Sequence, residues 1–385
     1  MADASEHSLS GLRLWLAAET DPVRRSEIRI LMARSMRHRG MFVAARSVLR
    51  DAIGETPDNP MVQRSMGLEL FRAGQIRDGL ELYDSGRWRL ESFQKYKRSY
   101  DFPTWTGEPL DGRRILLWGE QGIGDQIMQL RIVPQLLAGG AEVTVEADPR
   151  LEPLLGPLAN KIRFVPQLVE IDDRLSRARF DFQSSMLSAW AFRSKPLELG
   201  QCLVANAGLT ESYAATWKKL GRGIDVGLSW RSAASASGEN RSIPLRELRP
   251  LTHGRPARFH NLQYGELDLK AASGSFGAPL LTDPDSDPLK DLTRQAAQIA
   301  AMDLVITIDN ATAHLAGALG KPVWIILPKG SDWRWGSLAK PIPLYSGQRL
   351  FRAGNTDDWS APLWAVFEAF AKLDVSARPS KSAKP

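Results

Sequence analysis

Residues 114–137 read RILLWGEQGIGDQIMQLRIVPQLL, an apolar run that breaks at Gly119 and passes through Gly122 and Gly124 into Asp125 and a helical segment. A strand, a glycine-rich turn and a helix start in that order bring backbone close to a ligand and aim free N–H groups at an anion. No other stretch constrains the chain so tightly, because an α/β unit has to be built around it. It is not a P-loop, since no Gly-Lys-Ser/Thr follows. Nor is GEQGIG the dinucleotide fingerprint, whose glycines are spaced differently and whose ribose-binding acid is missing about 20 residues on. Asp125 puts a carboxylate at the mouth of the turn, where a reacting group would sit. Asp is also among the best helix N-caps, so both readings stand.

A second unit spans residues 302–328, MDLVITIDNATAHLAGALGKPVWIILP. Residues 304–308 read as a buried strand, apolar and β-branched, and Asp309-Asn310 supplies a helix cap. The helix 311–319 ends at Gly320, and Pro322 opens the strand 323–327. Its small first-turn residues, Ala311 among them, leave room for a phosphate at a positively charged helix end. Thr312 and His314 add donors there, unless His314 is simply a satisfied core histidine.

Taken in order, GEQGIGDQIMQLRIVPQL, GLSWRS…ENRSIPLREL, ITIDNATAHLAGALGKPVW and SDWRW resemble the glycosyltransferase family that includes the bacterial heptosyltransferases. The resemblance is closer to the tetratricopeptide-fused members and covers roughly residues 100–360. It implies an α/β chain with a GT-B fold, two Rossmann-like domains facing a cleft, behind an all-α tetratricopeptide-like region. It also implies that Asp125 is the general base and that Arg241 meets the donor diphosphate. Asp309, Asn310, Ala311 and His314 stand where the family carries Asp-Thr-Gly-x-x-His, and the Asn and Ala depart from the heptosyltransferase form.

The expected domains are a helical region (1–100), an acceptor-side Rossmann-like domain (101–220) and a nucleotide-sugar domain (221–356). A C-terminal helix (357–375) is expected to cross back to the first domain, ahead of a disordered tail (376–385). Within the helical region Gly40 and Gly74 lie 34 residues apart, the tetratricopeptide period. At the same offset Ala33 matches Gly67, Ala45 matches Gly79, Leu49 matches Tyr83 and Ala52 matches Gly86. Two units, 26–59 and 60–93, are expected to dock through residues 9–18 on one side and 88–100 on the other. A plain helical cap and a protein-binding role are equally open readings of them.

Composition narrows the rest. The chain has 385 residues, 43% of them hydrophobic, enough for two or more cores. A single cysteine, Cys202, excludes an internal disulfide and a cysteine zinc cluster and suits a reducing compartment. The first residues lack a signal-peptide pattern and no apolar run has membrane length, so a cytoplasmic protein without stable membrane insertion is expected. The net charge of +6 is spread along the chain and mixed with acids, which argues against nucleic acid as partner.

The flexible loop 231–241, RSAASASGENR, closes on Arg241, where a guanidinium can meet a leaving diphosphate with bidentate bonds; Arg231 is a secondary candidate. Gln263 and Tyr264, after a strand of the second domain, are placed for the base or ribose. Asp332, Trp333 and Trp335 are placed to line the cleft. Asp283, Asp285 and Asp287 fall in a proline-rich turn, so no metal or other cofactor is expected.

The reading is an inverting, metal-independent transfer from a nucleotide-sugar to an acceptor hydroxyl, on a protein such as flagellin bound through the repeats. Gly122, Gly124, Arg241, Gln263, Asp309, Asn310, Ala311, Thr312 and His314 are the donor-binding set. Since the diphosphate falls to the second domain, neutralising Asp125 is expected to leave donor affinity unchanged. The alternatives are a degenerate adaptor, a lipopolysaccharide-core transferase and a sugar-nucleotide epimerase.

Overall fold

A computed structural model describes residues 8–192, 201–232, 238–337, 339, 341–354 and 359–373. The expected tail, 376–385, and the middle of the 231–241 loop lie outside the described residues.

The N-terminal region is helical: α1 (Leu9–Ala18), α2 (Pro22–His38), α3 (Phe42–Glu55), α4 (Pro60–Arg72), α5 (Ile76–Arg87) and the short α6 (Glu91–Gln94). The pairs α2/α3 and α4/α5 form two hairpins. Gly40 and Gly74 occupy the same place in the two turns, each at positive φ, +69° and +80°, which glycine adopts at no steric cost. In the second hairpin the helices cross so closely that a Cβ on Gly67 would lie 2.6 Å from the Gly79 carbonyl oxygen. Asp21 and Asn59 cap α2 and α4, and a proline follows each.

A four-stranded parallel sheet follows. It is built from β1 (Arg114–Trp118), β2 (Glu142–Ala147), β3 (Arg163–Pro166) and β4 (Phe182–Ser185), in the order β3-β2-β1-β4. Its helices are α7 (Ile123–Gln129), α8 (Val133–Ala138), α9 (Asp173–Ser176) and α10 (Met186–Ala191), and α11 (Ala207–Lys218) leads on to the next sheet. Gly221 and Gly223, at φ +102° and +145°, then turn the chain into a second parallel sheet.

That sheet has six strands: β5 (Ile224–Ser229), β6 (Ala257–Asn261), β7 (Leu280–Leu281), β8 (Leu304–Ile308), β9 (Val323–Leu327) and β10 (Gln348–Arg352). Their order is β10-β9-β8-β5-β6-β7. Its helices are α12 (Gly238–Arg241), α13 (Leu251–Gly254), α14 (Leu269–Phe276), α15 (Thr293–Ala301), α16 (Ala311–Ala318) and α17 (Ser360–Ala371). Two Rossmann-like domains therefore stand behind an all-α region, the GT-B architecture. The two domains meet through α7 against α16 and the turn Pro149–Leu154 against α15, while α11 packs on α15 with its Trp217 ring 3.9 Å from His260 of β6.

Two contacts differ from expectation. The helix α17 does not return to the first domain in its main contacts. Leu363, Val366 and Phe370 instead join a core made by the second domain alone, against β9, β10 and α13. That outer sheet face is apolar and needs a cover, and α17 is the nearest apolar helix to supply it. The repeats, likewise, do not dock through α1. Leu9 and Leu12 turn inward onto α2, while Leu14 and Trp15 are exposed.

Docking uses α4 and α5 instead: Phe71, Ile76, Leu80 and Tyr83 share one core with Trp190 of the first domain and Trp333 of the second. Burying each such side chain contributes roughly 1.5–3 kcal/mol, so this face is a permanent joint. The 88–100 segment does join the first domain. The Trp88 and Trp118 rings lie 5.9 Å apart, and the Tyr100 hydroxyl donates to Glu146 at 2.6 Å.

Candidate active site

The glycine turn after β1 is shaped by the repeats. Glu120 is fully buried and paired with the equally buried Arg87 of α5, which also holds Asp84 at 2.7 Å. Beside it Gln121 takes a positive φ of 62° and donates to the Tyr83 hydroxyl at 3.3 Å. A non-glycine residue in that conformation is held by its surroundings, here by two helices from another region of the chain.

The helix opens at Gly122, which is the N-cap, so Asp125 is the third helical residue and not the cap itself. The carboxylate instead faces the second domain, where it meets Arg334. Gly124 sits against the start of α16: a Cβ there would lie 3.2 Å from Ala311 Cα and 3.1 Å from His314 Cδ2. The first turns of α7 and α16 thus touch across the domain boundary and bring Gly122, Gly124 and Asp125 together with Asp309, Asn310, Ala311 and His314.

Asn310 is fully engaged within the fold. Its oxygen accepts from the amides of Thr312 and Ala313 at 3.0 and 3.3 Å and from Thr307 at 3.1 Å, while its nitrogen donates to Ser229 at 2.8 Å. Two of the donors that a phosphate would seek at this helix end are therefore already taken. Gln263 is similar. It is buried, its oxygen accepts from the amides of Trp230 and Arg231 at 3.2 and 2.9 Å, and its nitrogen donates to the Arg231 carbonyl at 3.1 Å. It ties the ends of β5 and β6 together and shapes the rim of the site.

The positive charge at the site comes from side chains. Arg241 pairs with Asp309 at 3.4 Å, and its buried Nε has no acceptor among the described residues. Arg334, which the sequence reading passed over inside SDWRW, reaches from the loop after β9 to make a direct ion pair with Asp125. Its other terminal nitrogen donates to Asp332 at 2.5 Å. That loop is fixed from two sides. Arg72 of α4 and Arg352 of β10 both bind Ser331, and the Trp333 ring lies 4.8 Å from Phe71. Three carboxylates thus face two arginines.

Burial raises Asp125 above the usual carboxylate range, against the pull of Arg334. Burial and the nearby Asp332 raise Asp309 as well, whereas Arg334 holds Asp332 down despite its burial. His314 is buried, its ring stacked 5.0 Å from Trp335 and its Nδ1 3.0 Å from the Tyr345 hydroxyl. Burial, with Arg334 and Arg241 nearby, lowers it from 6.5 to about 3, so it is neutral at physiological pH.

The unfolded chain therefore binds the extra proton between those two values, and this contribution to stability is lost as pH falls below 6.5. His314→Asn should flatten that part of the pH–stability curve. Denaturant unfolding at several pH values would show it, and parallel curves for variant and wild type would mean His314 titrates like a solvated histidine.

Among the described residues no group of three or more His, Cys, Asp or Glu side chains is placed to hold a metal ion. Asp283 and Asp285 pair with Arg294 at 3.2 and 3.5 Å, and Asp287 pairs with Lys290 at 3.0 Å. No helix among the described residues is long and apolar enough to cross a membrane.

No protein-family model matches the chain. Protein FlbA of Caulobacter vibrioides is 27% identical over 350 residues, covering 84% of this chain and 57% of its own length, so the chain spans little more than half of that relative. Among solved structures, a glycosyl transferase family 9 protein from Veillonella parvula aligns with TM-score 0.49 at 12% identity, over 64% of this chain and 88% of that one. The ADP-heptose LPS heptosyltransferase II of E. coli aligns with TM-score 0.47 at 16% identity, over 67% and 98%. An O-GlcNAc transferase from Thermobaculum terrenum aligns along 96% of this chain and 88% of that one, with TM-score 0.34 and 14% identity.

Proposed function

We propose that the chain is a glycosyltransferase that moves a sugar from a nucleotide-sugar to an acceptor hydroxyl by inverting single displacement, without a metal. The observation that carries this is one carboxylate, Asp125, at the meeting of two Rossmann-like domains, paired with Arg334 beside the Arg241–Asp309 pair. Asp125 takes the proton of the acceptor hydroxyl as its oxygen attacks the anomeric carbon. The bond from that carbon to the diphosphate oxygen breaks, and the leaving group keeps the electron pair and is met by guanidinium charge. Asp309 orients the donor sugar or its turn, and Gln263 shapes the base and ribose end. The acceptor is a protein, flagellin being one example, presented along the helical repeats in a cytoplasmic setting.

One observation favours a second reading, a non-catalytic adaptor: Asp125 is already held by Arg334. A thermal-shift screen of the whole chain against ADP-, UDP-, GDP- and CMP-sugars separates the two, since a ligand of the folded state raises the melting temperature with occupancy. One donor class should stabilise the protein and be weakened by Arg241→Ala, because free diphosphate and donor carry the same charge. No shift at millimolar concentration with any of the four would remove the transferase reading.

A further inference from the structure

We infer that Arg334 is a donor-operated latch on the base: in the unliganded protein it holds Asp125, and the incoming diphosphate takes over the guanidinium and frees the carboxylate for proton abstraction. This deepens the proposed transferase reading and rests on it.

Arg334 is the only residue of the described site whose ion pairs span both domains, with Asp125 on one side and Asp332 on its own loop. A buried carboxylate held by a guanidinium is less basic than the same carboxylate left unpaired, since abstraction of a proton would have to break the pair. The site therefore pairs its best base with a cation that a phosphate can bind in the same bidentate way.

The helix start a diphosphate would first seek is largely filled. Asn310 occupies the amides of Thr312 and Ala313 at the start of α16, and Arg241 alone offers a single guanidinium already beside Asp309. A ligand carrying two negative charges needs a second cation, and Arg334 is close enough to act on the same Asp309 carboxylate as Arg241. Once the phosphate is bound, Asp125 is left in a site whose burial favours its protonated form, so it gains basicity when the donor is in place. Asp332 keeps the guanidinium from swinging away, since it holds both the Arg334 backbone amide, at 3.1 Å, and its Nη1. Binding then proceeds donor first, acceptor second.

Linkage supplies a test that does not depend on turnover. If Asp125 and the diphosphate compete for Arg334, removing the carboxylate must tighten diphosphate binding. Calorimetry of the whole chain with inorganic pyrophosphate, in chelator, is expected to show Asp125→Asn binding about tenfold tighter than wild type. Arg334→Gln should bind at least about tenfold more weakly, and the double variant no more tightly than Arg334→Gln. Arg334→Lys keeps the charge and serves if the Gln variant does not fold; it should fall between the two.

Equal affinity of wild type and Asp125→Asn would overturn the latch and leave the transferase reading intact. Pyrophosphate and all four sugar-nucleotides failing to bind either protein would overturn the transferase reading, and the latch with it.

Discussion

Asp125→Asn is expected to slow sugar transfer by about 10²–10⁴-fold at saturating donor, the usual cost of losing a positioned general base. The fold should survive. Asp125 is not the helix cap and the substitution preserves its size, so the start of α7 is undisturbed. Donor is still bound, and by the latch argument bound more tightly, so the loss appears in turnover and not in the Michaelis constant. Steady-state transfer measured beside donor binding decides the matter. Normal turnover in the variant would reduce Asp125 to an ion-pair partner of Arg334 and move the adaptor reading ahead.

Arg87→Ala is expected to destabilise the protein by about 3–5 kcal/mol, the range for breaking a buried ion pair from one side. Both side chains of the Arg87–Glu120 pair are fully buried, so the truncation strands a carboxylate inside the turn that precedes Asp125. Asp84 loses its 2.7 Å partner at the same time. The double variant Arg87→Met with Glu120→Gln should recover part of that loss, because position 120 then carries no buried charge and only Asp84 still lacks its partner. Denaturant unfolding of the three proteins checks the prediction. A single-variant cost below about 1 kcal/mol would mean that water reaches Glu120, as at an exposed pair.

The two halves of the site differ in how far the sequence discloses them. The strands β8 and β9 are apolar except for Thr307 because both faces of a central parallel strand are covered, and the cap and glycine between them bound α16 closely. The strand β10 reads QRLFR and gives no such signal; it lies at the sheet edge, where arginines are tolerated, and only Phe351 is buried.

Asp125 was legible as a carboxylate after a glycine turn. Its partner was not, because Arg334 lies 209 residues away and only the meeting of two domains brings them together. Within SDWRW the one clue is a charged residue between two tryptophans. The docking face of the repeats was hidden for a related reason. The apolar spacing of α4 and α5 serves their own hairpin and the domain joint at once, so periodicity alone does not divide the two roles.

The core running from Phe71 and Tyr83 through Trp190 and Trp333 leaves the repeats no surface of their own on that side. Repeat arrays usually diversify by gaining, losing or exchanging whole units, like beads on a string. A hairpin that also completes the interior of two other domains is not available for such exchange. If the repeats receive the proposed acceptor, a new one would have to be reached by single substitutions on the outward faces of α1 and α3, while α4 and α5 stay tied to the loop that carries Arg334. Recognition is then free to drift at one end of the helical region and frozen at the other.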